Sequence, residues 1–299
     1  MTVGNFDGVH RGHQALVAQA VADARAVGGT AAVLTFDPHP SRVLAPERAP
    51  ATLLTMSQKA ERLSALGVDR MAVLPFTPSL AAQPAAEFAQ RVLHDCLQAA
   101  TVVVGAGFRF GRGRAGDVAL LRGLGRGLGF RVHAMRPVFH QDAPISSTRV
   151  REALARGDVE GAREMMGRPF FVDGTVVRGL ARGRTLGIPT ANVAPVNETL
   201  PGNGVYACWL RVGDRDRPLW PAVANVGRRP TFGGTETTVE AHVLDLDADM
   251  YDQPARLVFA VRLRPEQAFP GPEALVAQIR RDIERARDTL RVAGIPDGI

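Results

Sequence analysis

The chain has little lysine, little cysteine and no long apolar run, and each scarcity limits what the protein can be. Lys59 is the only lysine, so arginine supplies nearly all of the 36 basic residues behind the net charge of +6. Arginine makes planar, bidentate contacts to phosphate, although a preference for it is also typical of biased genomic base composition. Cys96 and Cys208 form no C-x-x-C pair, which predicts a reduced cytoplasmic protein without a zinc site. No run approaches the length of a membrane span, and a glycine- and histidine-rich motif stands where a signal peptide would.

Length and periodicity predict two domains. The 299 residues, 45% hydrophobic and 22% charged, are typical of a globular protein with sizeable cores. Residues 1–167 alternate helical patterns with apolar runs, which predicts a Rossmann-like α/β domain with a parallel doubly wound sheet. Residues 168–299 carry short strands between glycine and proline turns, which predicts a small antiparallel β-barrel with a packed C-terminal helix.

The chain opens on Gly4-Asn5-Phe6-Asp7-Gly8-Val9-His10-Arg11-Gly12-His13, between a strand end at Val3 and a helical pattern. Backbone N–H groups at a helix start and the positive end of its dipole favour phosphate. His10 and His13 are three residues apart, so both imidazoles are expected to point at one group and stabilise charge on it. Each feature alone is common on protein surfaces. The full spacing is far more restrictive and predicts a polyphosphate site.

This G-x-x-x-G-x-H-x-G-H motif resembles the nucleotidyltransferase signature of the bacterial bifunctional riboflavin kinase/FAD synthetase family. The resemblance implies that the N-terminal domain adenylylates FMN, with His10 and His13 as catalytic residues. It also implies nucleotide contacts from the five residues before Val9. Relatives carry about a strand's worth of residues before Gly4, where this chain has three. A weakened FAD synthetase beside an intact kinase is therefore one expectation.

Residues 105–117 combine glycines, arginines and two aromatic rings after a predicted strand, where open α/β sheets bind ligands. Arginines can pair with phosphate, and the rings can stack on a base or a flavin. Arginine/glycine-rich RNA binding is the alternative, disfavoured because the segment is short and lies between regular elements. The segment resembles the family's flavin-binding F-R-F-G element, with Gly107 replacing an acidic or amide residue. The implied flavin contacts are Phe108, Arg109, Phe110 and Gly111.

A second anion site is predicted at residues 145–151, where serine and threonine begin a helix and arginines follow. The segment resembles the family's I-S-S-T-x-x-R element, which holds the ATP phosphates. The implied nucleotide contacts are Ser146, Ser147, Thr148, Arg149 and Arg151. His39, in a proline-rich turn after another strand, is either a third histidine at the nucleotide or an ordinary turn residue.

Residues 178–192 place glycines and arginines between two strands of the second domain, which suggests a phosphate loop. Thr190 and Asn192 offer a hydroxyl and an amide oxygen on one side of an extended segment, suited to one magnesium ion. The motif P-T-A-N is weak by itself. With the residues before it, it resembles the riboflavin kinase signature L-G-F-P-T-A-N, with Ile188 replacing phenylalanine. The implied ATP contacts are Gly179, Arg184, Gly187, Thr190 and Asn192, the last two also binding magnesium.

Alternation places Glu240 and His242 on one face of a strand and Val239 and Ala241 on the other. A solvent-facing carboxylate is the ordinary interpretation of Glu240. The resemblance implies instead that it is the catalytic base for the riboflavin 5′-hydroxyl. Implied flavin contacts in the same domain are Arg264, Glu266 and Phe269.

Together the segments predict a bifunctional enzyme that makes FMN from riboflavin and then FAD from FMN. ATP is the expected co-substrate, Mg²⁺ the expected cofactor, and the flavins are substrates and products. Neither nucleic acid nor membrane is an expected partner, and weak self-association is left open. A related adenylyltransferase acting on pantetheine phosphate or nicotinamide mononucleotide is one alternative, which leaves the barrel unexplained. A non-catalytic RNA-binding or flavin-responsive regulator is another.

Overall fold

The chain forms two compact units, Met1–Ser147 and Thr148–Ile299. The structure is a computed structural model that describes residues 1–179, 187–231, 234–246 and 248–296. The division falls after the first residue of α7 (Ser147–Ala155) and before α8 (Val159–Met166), whereas the predicted boundary after Gly167 follows both helices.

The first unit contains a parallel five-stranded sheet in the order β3-β2-β1-β4-β5. Its strands are β1 (Thr2–Val3), β2 (Ala32–Asp37), β3 (Arg70–Pro75), β4 (Thr101–Gly105) and β5 (Arg131–Met135). A small hairpin follows, formed by β6 (Phe139–His140) and β7 (Ala143–Pro144). The central β1 pairs with both β2 and β4, and the strand order reverses between β1 and β4. Ligands of open α/β sheets bind at such a reversal, beyond the carboxyl ends of the strands.

Helices connect these strands, as the sequence predicts. They are α1 (Arg11–Arg25), α2 (Pro40–Leu44), α3 (Met56–Ala65), α4 (Pro78–Ala81), α5 (Ala85–Phe88, continued as a π-helix over Ala89–Cys96) and α6 (Val118–Leu128). Short 3₁₀ turns span Pro46–Arg48 and Arg112–Arg114. The helix α3 begins with a capping box, in which Thr55 and Gln58 exchange side-chain and backbone hydrogen bonds.

The second unit contains a closed barrel, ordered β10-β11-β12-β9-β8-β13 among the described residues. Its strands are β8 (Phe170–Val177), β9 (Ala191–Pro195), β10 (Gly204–Val212), β11 (Trp220–Thr231), β12 (Gly234–Val243) and β13 (Pro254–Arg264). The sequence predicted short strands across this part of the chain, whereas the segment of β9 was expected only to be extended. By pairing with β8 and β12, β9 closes the barrel.

Alternation sorts the barrel residues into two faces. The pairs Ala224–Ala241 and Val226–Val239 between β11 and β12 are almost wholly buried. The helix α9 (Pro272–Ala293) packs against β10, β11 and β13 through a stripe that includes the buried Leu290. The predicted α/β domain and barrel with a packed C-terminal helix are thus confirmed. Within the described part of the chain, no helix is long and apolar enough to cross a membrane.

Candidate active sites

The loop between β1 and α1 has an unusual backbone. Phe6 and Val9 have φ values of 48° and 42°, in the left-handed region that side chains other than those of glycine, asparagine and aspartate rarely adopt. Gly8 has a φ of 84°, and a Cβ there would lie 2.7 Å from Cδ1 of Leu53. Strain of this kind persists only where the surroundings over-determine it, and it is concentrated at functional sites.

The two histidines of the loop stack on each other. His10 is the N-cap of α1, and its Nδ1 accepts a hydrogen bond from the backbone N–H of His13 at 3.3 Å. The ring centroids are 3.6 Å apart with an angle of 16° between the planes. Because Nδ1 of His10 accepts this bond, the hydrogen of the neutral ring lies on Nε2.

Burial lowers the pKa of His13 well below its ordinary value of 6.5, and the nearby His10 and Lys59 lower it further. His13 is therefore neutral near pH 7. Its Nδ1 is buried and has no hydrogen-bond partner among the described residues. The pair can donate hydrogen bonds to a developing anion, but His13 does not meet it as a cation.

A buried polar cluster lies beneath the loop. The Nζ of Lys59 donates to the carbonyl oxygen of Asn5 at 2.8 Å, and the Oγ1 of Thr35 donates to the same oxygen at 3.2 Å. The amide Nδ2 of Asn5 lies 3.0 Å from Nε2 of His39. The structure therefore brings His39 to the glycine loop. The sequence analysis did not predict this contact of Lys59. Its one distinguishing feature in the sequence is that it is the single lysine.

The second predicted anion motif meets the first. Ser147 begins α7, and its Oγ donates to the carbonyl oxygen of Asp7 at 2.8 Å. The Asp7 carboxylate is itself buried and accepts a hydrogen bond from the backbone N–H of Leu53 at 2.9 Å. Ser146 directly precedes α7. The other predicted phosphate contacts of this motif lie in the first turns of the helix: Thr148, Arg149 and Arg151.

The predicted flavin loop follows β4, next to the point where strand order reverses. Phe108 and Phe110 stack with centroids 5.5 Å apart, but Phe110 is buried against Phe88 in the core of the unit. Phe108 is the more accessible of the two rings. Gly111 has a φ of 71°, and a Cβ there would lie 2.6 Å from the Cα of Ala85. The loop thus packs closely on the start of α5, while Arg109 lies exposed, 3.7 Å from Asp117.

The barrel carries a row of polar residues across neighbouring strands. Asn225 of β11 pairs with Glu240 of β12, which pairs with Asn192 of β9. Side chains directly opposite each other in a sheet share a face, so this row faces away from the buried pairs at Val226–Val239. The predicted alternation around Glu240 is confirmed.

A cavity of about 400 Å³ lies between this face and α9. Thr190, Glu240 and His242 line one side, and Leu275 and Ile279 of α9 line the other. The Nδ1 of His242 lies 2.8 Å from the carbonyl oxygen of Pro189, which links β12 to the segment before Thr190.

Three predicted flavin contacts form another wall of the same cavity: Arg264, Glu266 and Phe269. The Nε of Arg264 donates to the buried Asp282 of α9 at 2.9 Å, and its guanidinium lies 5.6 Å from the Phe269 ring. Arg264 therefore also ties the barrel to α9. The Oε2 of Glu266 accepts a hydrogen bond from Asn203 at 3.1 Å.

A second cavity, of about 420 Å³, adjoins the first at Thr190, which lines both. The guanidinium of Arg178 lies 4.5 Å from the centre of the Tyr251 ring in its wall. Gly179 is so close to Asn192 that an added Cβ would overlap the amide Nδ2. Gly187 has a φ of 72°, while the predicted phosphate contact Arg184 lies outside the described residues.

The donor set around Thr190 fits a magnesium ion. A hydroxyl, an amide oxygen and a carboxylate are hard oxygen ligands, and magnesium is usually held by a few such groups together with substrate phosphates. The facing positions of Asn192 and Glu240 place two of these donors on one face.

Comparison with known proteins agrees with the division of the chain into a sheet unit and a barrel unit. Residues 1–149 match the family model of FAD synthetase, and residues 166–290 match that of riboflavin kinase. The chain is 42% identical over 287 residues to a bifunctional riboflavin kinase/FMN adenylyltransferase of Pseudomonas fluorescens, covering 96% of this chain and 91% of that protein. It is 39% identical over 288 residues to the protein of that name from Escherichia coli K12, with the same coverage.

Among solved structures, a protein titled macrolide-efflux protein from Streptococcus pneumoniae is similar to the whole chain. Its TM-score is 0.87 at 31% identity, with 96% of this chain and 93% of that chain covered. Two family models in the predicted order, and relatives that align along nearly the full length, lead to one assignment. The chain belongs to the bifunctional riboflavin kinase/FAD synthetase family.

Proposed function

We propose that the chain converts riboflavin to FMN in its barrel unit and FMN to FAD in its sheet unit, using ATP in both steps. The observation that carries the kinase assignment is that Thr190 lines two adjoining cavities, one of which also contains Glu240. A phosphoryl group held near Thr190 would lie between a nucleotide in one cavity and a flavin in the other.

In the kinase step, riboflavin lies between the barrel face and α9 with its 5′-hydroxyl towards Glu240. The carboxylate accepts the hydroxyl proton while the oxygen bonds to the γ-phosphorus of ATP. The bond from that phosphorus to the β-γ bridging oxygen breaks, and ADP leaves. Catalysis of this kind depends mainly on positioning and charge neutralisation. Arg264, Glu266 and Phe269 would contact the flavin.

Magnesium would supply the neutralisation of phosphate charge when it is bound. The hydroxyl of Thr190 and the amide oxygen of Asn192 would hold it, and Gly179 leaves the space that the Asn192 side chain needs. The nucleotide would lie in the second cavity, along the side of Arg178 and Tyr251.

In the adenylyl step, a phosphate oxygen of FMN attacks the α-phosphorus of ATP directly. The bond between the α-phosphorus and the bridging oxygen breaks, and pyrophosphate leaves. No protein nucleophile is needed, because the attacking oxygen is already anionic. The stacked His10 and His13, with the backbone N–H groups of the strained loop, would stabilise the pyrophosphate. Ser147 supports this loop through Asp7, and Phe108 would stack on the flavin.

The test is to incubate the purified protein with riboflavin, ATP and magnesium and to separate the flavins by chromatography. FMN and FAD are the expected products. Riboflavin left unphosphorylated would overturn the kinase assignment, and FMN without FAD would overturn the adenylyltransferase assignment. An adenylyltransferase for another nucleotide would leave the barrel cavity without a role.

A further inference from the structure

Lys59 is a buried ammonium aimed at one carbonyl oxygen of the glycine loop. Its side chain, on α3, is 7% exposed, and its Nζ lies 2.8 Å from the oxygen of Asn5 and 3.5 Å from Oγ1 of Thr35. Thr35, which is fully buried on β2, donates to the same Asn5 oxygen. Two donors from two different elements therefore converge on one carbonyl.

Such an arrangement is costly to build. An ammonium taken out of water loses its hydration, and burial indeed lowers the pKa of Lys59. The carboxylates of Asp7 and Asp37 act in the opposite direction, so that the charge is partly compensated within the cluster. Apart from Lys59, all of the 36 lysine and arginine residues in the sequence are arginines. A compact ammonium on a flexible stem can reach a single buried oxygen that a planar guanidinium would not fit as well.

The held carbonyl determines the direction of its own peptide group. The carbonyl of Asn5 and the N–H of Phe6 belong to one planar trans peptide unit and therefore point in opposite directions. With the oxygen turned down to Lys59 and Thr35, the Phe6 N–H points away from the buried cluster. Phe6 has a φ of 48°, so the loop does not adopt this orientation by local preference and needs an external constraint.

We propose that Lys59 is a positioning residue of the FAD synthetase site, which holds the Asn5–Phe6 peptide so that the Phe6 N–H faces the nucleotide phosphates. This inference rests on the proposed adenylyltransferase function and extends it. Lys59 itself touches neither ATP nor FMN. Its effect on the reaction passes through the backbone, as Ser147 acts on the Asp7–Gly8 peptide of the loop through the carbonyl of Asp7.

The test compares Lys59→Met, Thr35→Val and the double variant in the full-length enzyme. Lys59→Met is expected to lower kcat for FAD synthesis from FMN by roughly 30-fold, since loss of a preorganised donor costs about 100-fold or more when it is complete. Thr35→Val is expected to lower kcat by about 3-fold, and the two losses are expected not to multiply, because both side chains hold the same oxygen. Riboflavin kinase activity of the same molecules is expected to be unchanged.

Leu63→Ala is the matched control. Leu63 is a buried residue of the same helix, so its truncation destabilises the unit while both donors to the Asn5 oxygen stay in place. It is expected to lower the melting temperature and leave kcat near that of the wild type. A merely structural role of Lys59 predicts that Lys59→Met behaves in the same way.

The proposal is overturned if folded Lys59→Met keeps kcat within about 3-fold of the wild type, or if its loss multiplies fully with that of Thr35→Val. Should Lys59→Met fail to fold, Lys59→Gln is measured in its place, and a kcat within about 3-fold of the wild type would again contradict the proposal. A wild-type enzyme that makes no FAD would instead refute the proposed function, which distinguishes the two failures.

Discussion

Glu240 and Asn192 lie directly opposite each other on β12 and β9, although 48 positions separate them in the chain. This pairing puts the proposed base and a proposed magnesium ligand on one face of the barrel. The kinase site therefore depends on the short strand β9, which pairs on both sides.

Glu240→Gln is expected to reduce FMN formation by at least about 100-fold, because the amide cannot accept the hydroxyl proton. FAD synthesis from supplied FMN should be unaffected. Initial rates of both reactions, measured on one preparation, provide the check. Glu273→Gln, an exposed carboxylate in the first turn of α9, is the control and should alter neither rate. Equal loss of both activities in Glu240→Gln would contradict the division into two sites.

Gly179→Ala is expected to mimic the loss of Asn192, because the new methyl group would occupy the space of the Asn192 amide. The kinase should then need several-fold more magnesium for half-maximal activity, as should Asn192→Leu. Magnesium titration of the two activities measures this shift. Gly107→Ala is the control, since no atom of the described residues lies within 4 Å of a Cβ at that position. Normal magnesium dependence in Gly179→Ala would argue against Asn192 as a ligand.

His10→Asn separates the N-cap role of His10 from its proposed role in FAD synthesis. Asparagine is a good N-cap, so α1 should keep its stability, whereas His10→Ala should cost about 1 kcal/mol. Both variants remove the ring that stacks on His13, and both should reduce FAD synthesis by about 100-fold while kinase activity persists. Thermal unfolding and FAD synthesis rates test the two halves of the prediction. An active His10→Asn enzyme would show that only the cap matters.

The lowered pKa of His13 predicts a pH dependence of stability. Below about pH 6.5 the unfolded chain binds a proton at His13 that the folded chain does not, so stability falls as pH decreases, by up to about 1.4 kcal/mol per pH unit. Above that pH the contribution is constant. Denaturation at pH 7.5 and 5.5 should therefore show a smaller loss in His13→Asn than in the wild type. His94→Asn, which changes an exposed histidine, should lose as much stability as the wild type.

Asp282→Ala is expected to destabilise the barrel unit by roughly 3 kcal/mol, since it leaves the largely buried guanidinium of Arg264 without its carboxylate partner. The wall of the riboflavin cavity should loosen with it, which would raise the KM for riboflavin more than it lowers kcat. Asp288→Ala removes an exposed carboxylate of the same helix, paired with Arg291, and should change stability by less than about 1 kcal/mol. An unchanged KM in Asp282→Ala would show that α9 is held by its apolar stripe alone.

Much of the candidate site could be proposed from the sequence because its chemistry is local. The glycine–histidine motif, the serine-rich helix start and the Thr190–Asn192 segment each place their functional groups within a few residues, where spacing along the chain determines direction. Strand and helix periodicity similarly predicted both folds. The segment of β9 was not predicted to be a strand, because its five residues show too little alternation to distinguish a strand from a turn.

Other features depended on contacts between distant parts of the chain. The stacking of His10 on His13 follows from the N-cap role of His10, which places its ring over the helix start instead of along a shared helix face. Phe110, expected at the flavin, is largely a core residue because its loop packs on α5. No local pattern marks Lys59 as a neighbour of Asn5.

The sequence alone determined the two domain types, the order of the two activities expected of them, and most of the groups that would carry the chemistry. It could do so because periodicity and motif spacing are properties of neighbouring residues. Only the tertiary structure decided which groups meet: Ser147 with Asp7, Lys59 with Asn5, and Glu240 with Asn192. Each of those meetings is determined by sheet register or helix packing, which depends on the burial of the whole core and not on any one segment.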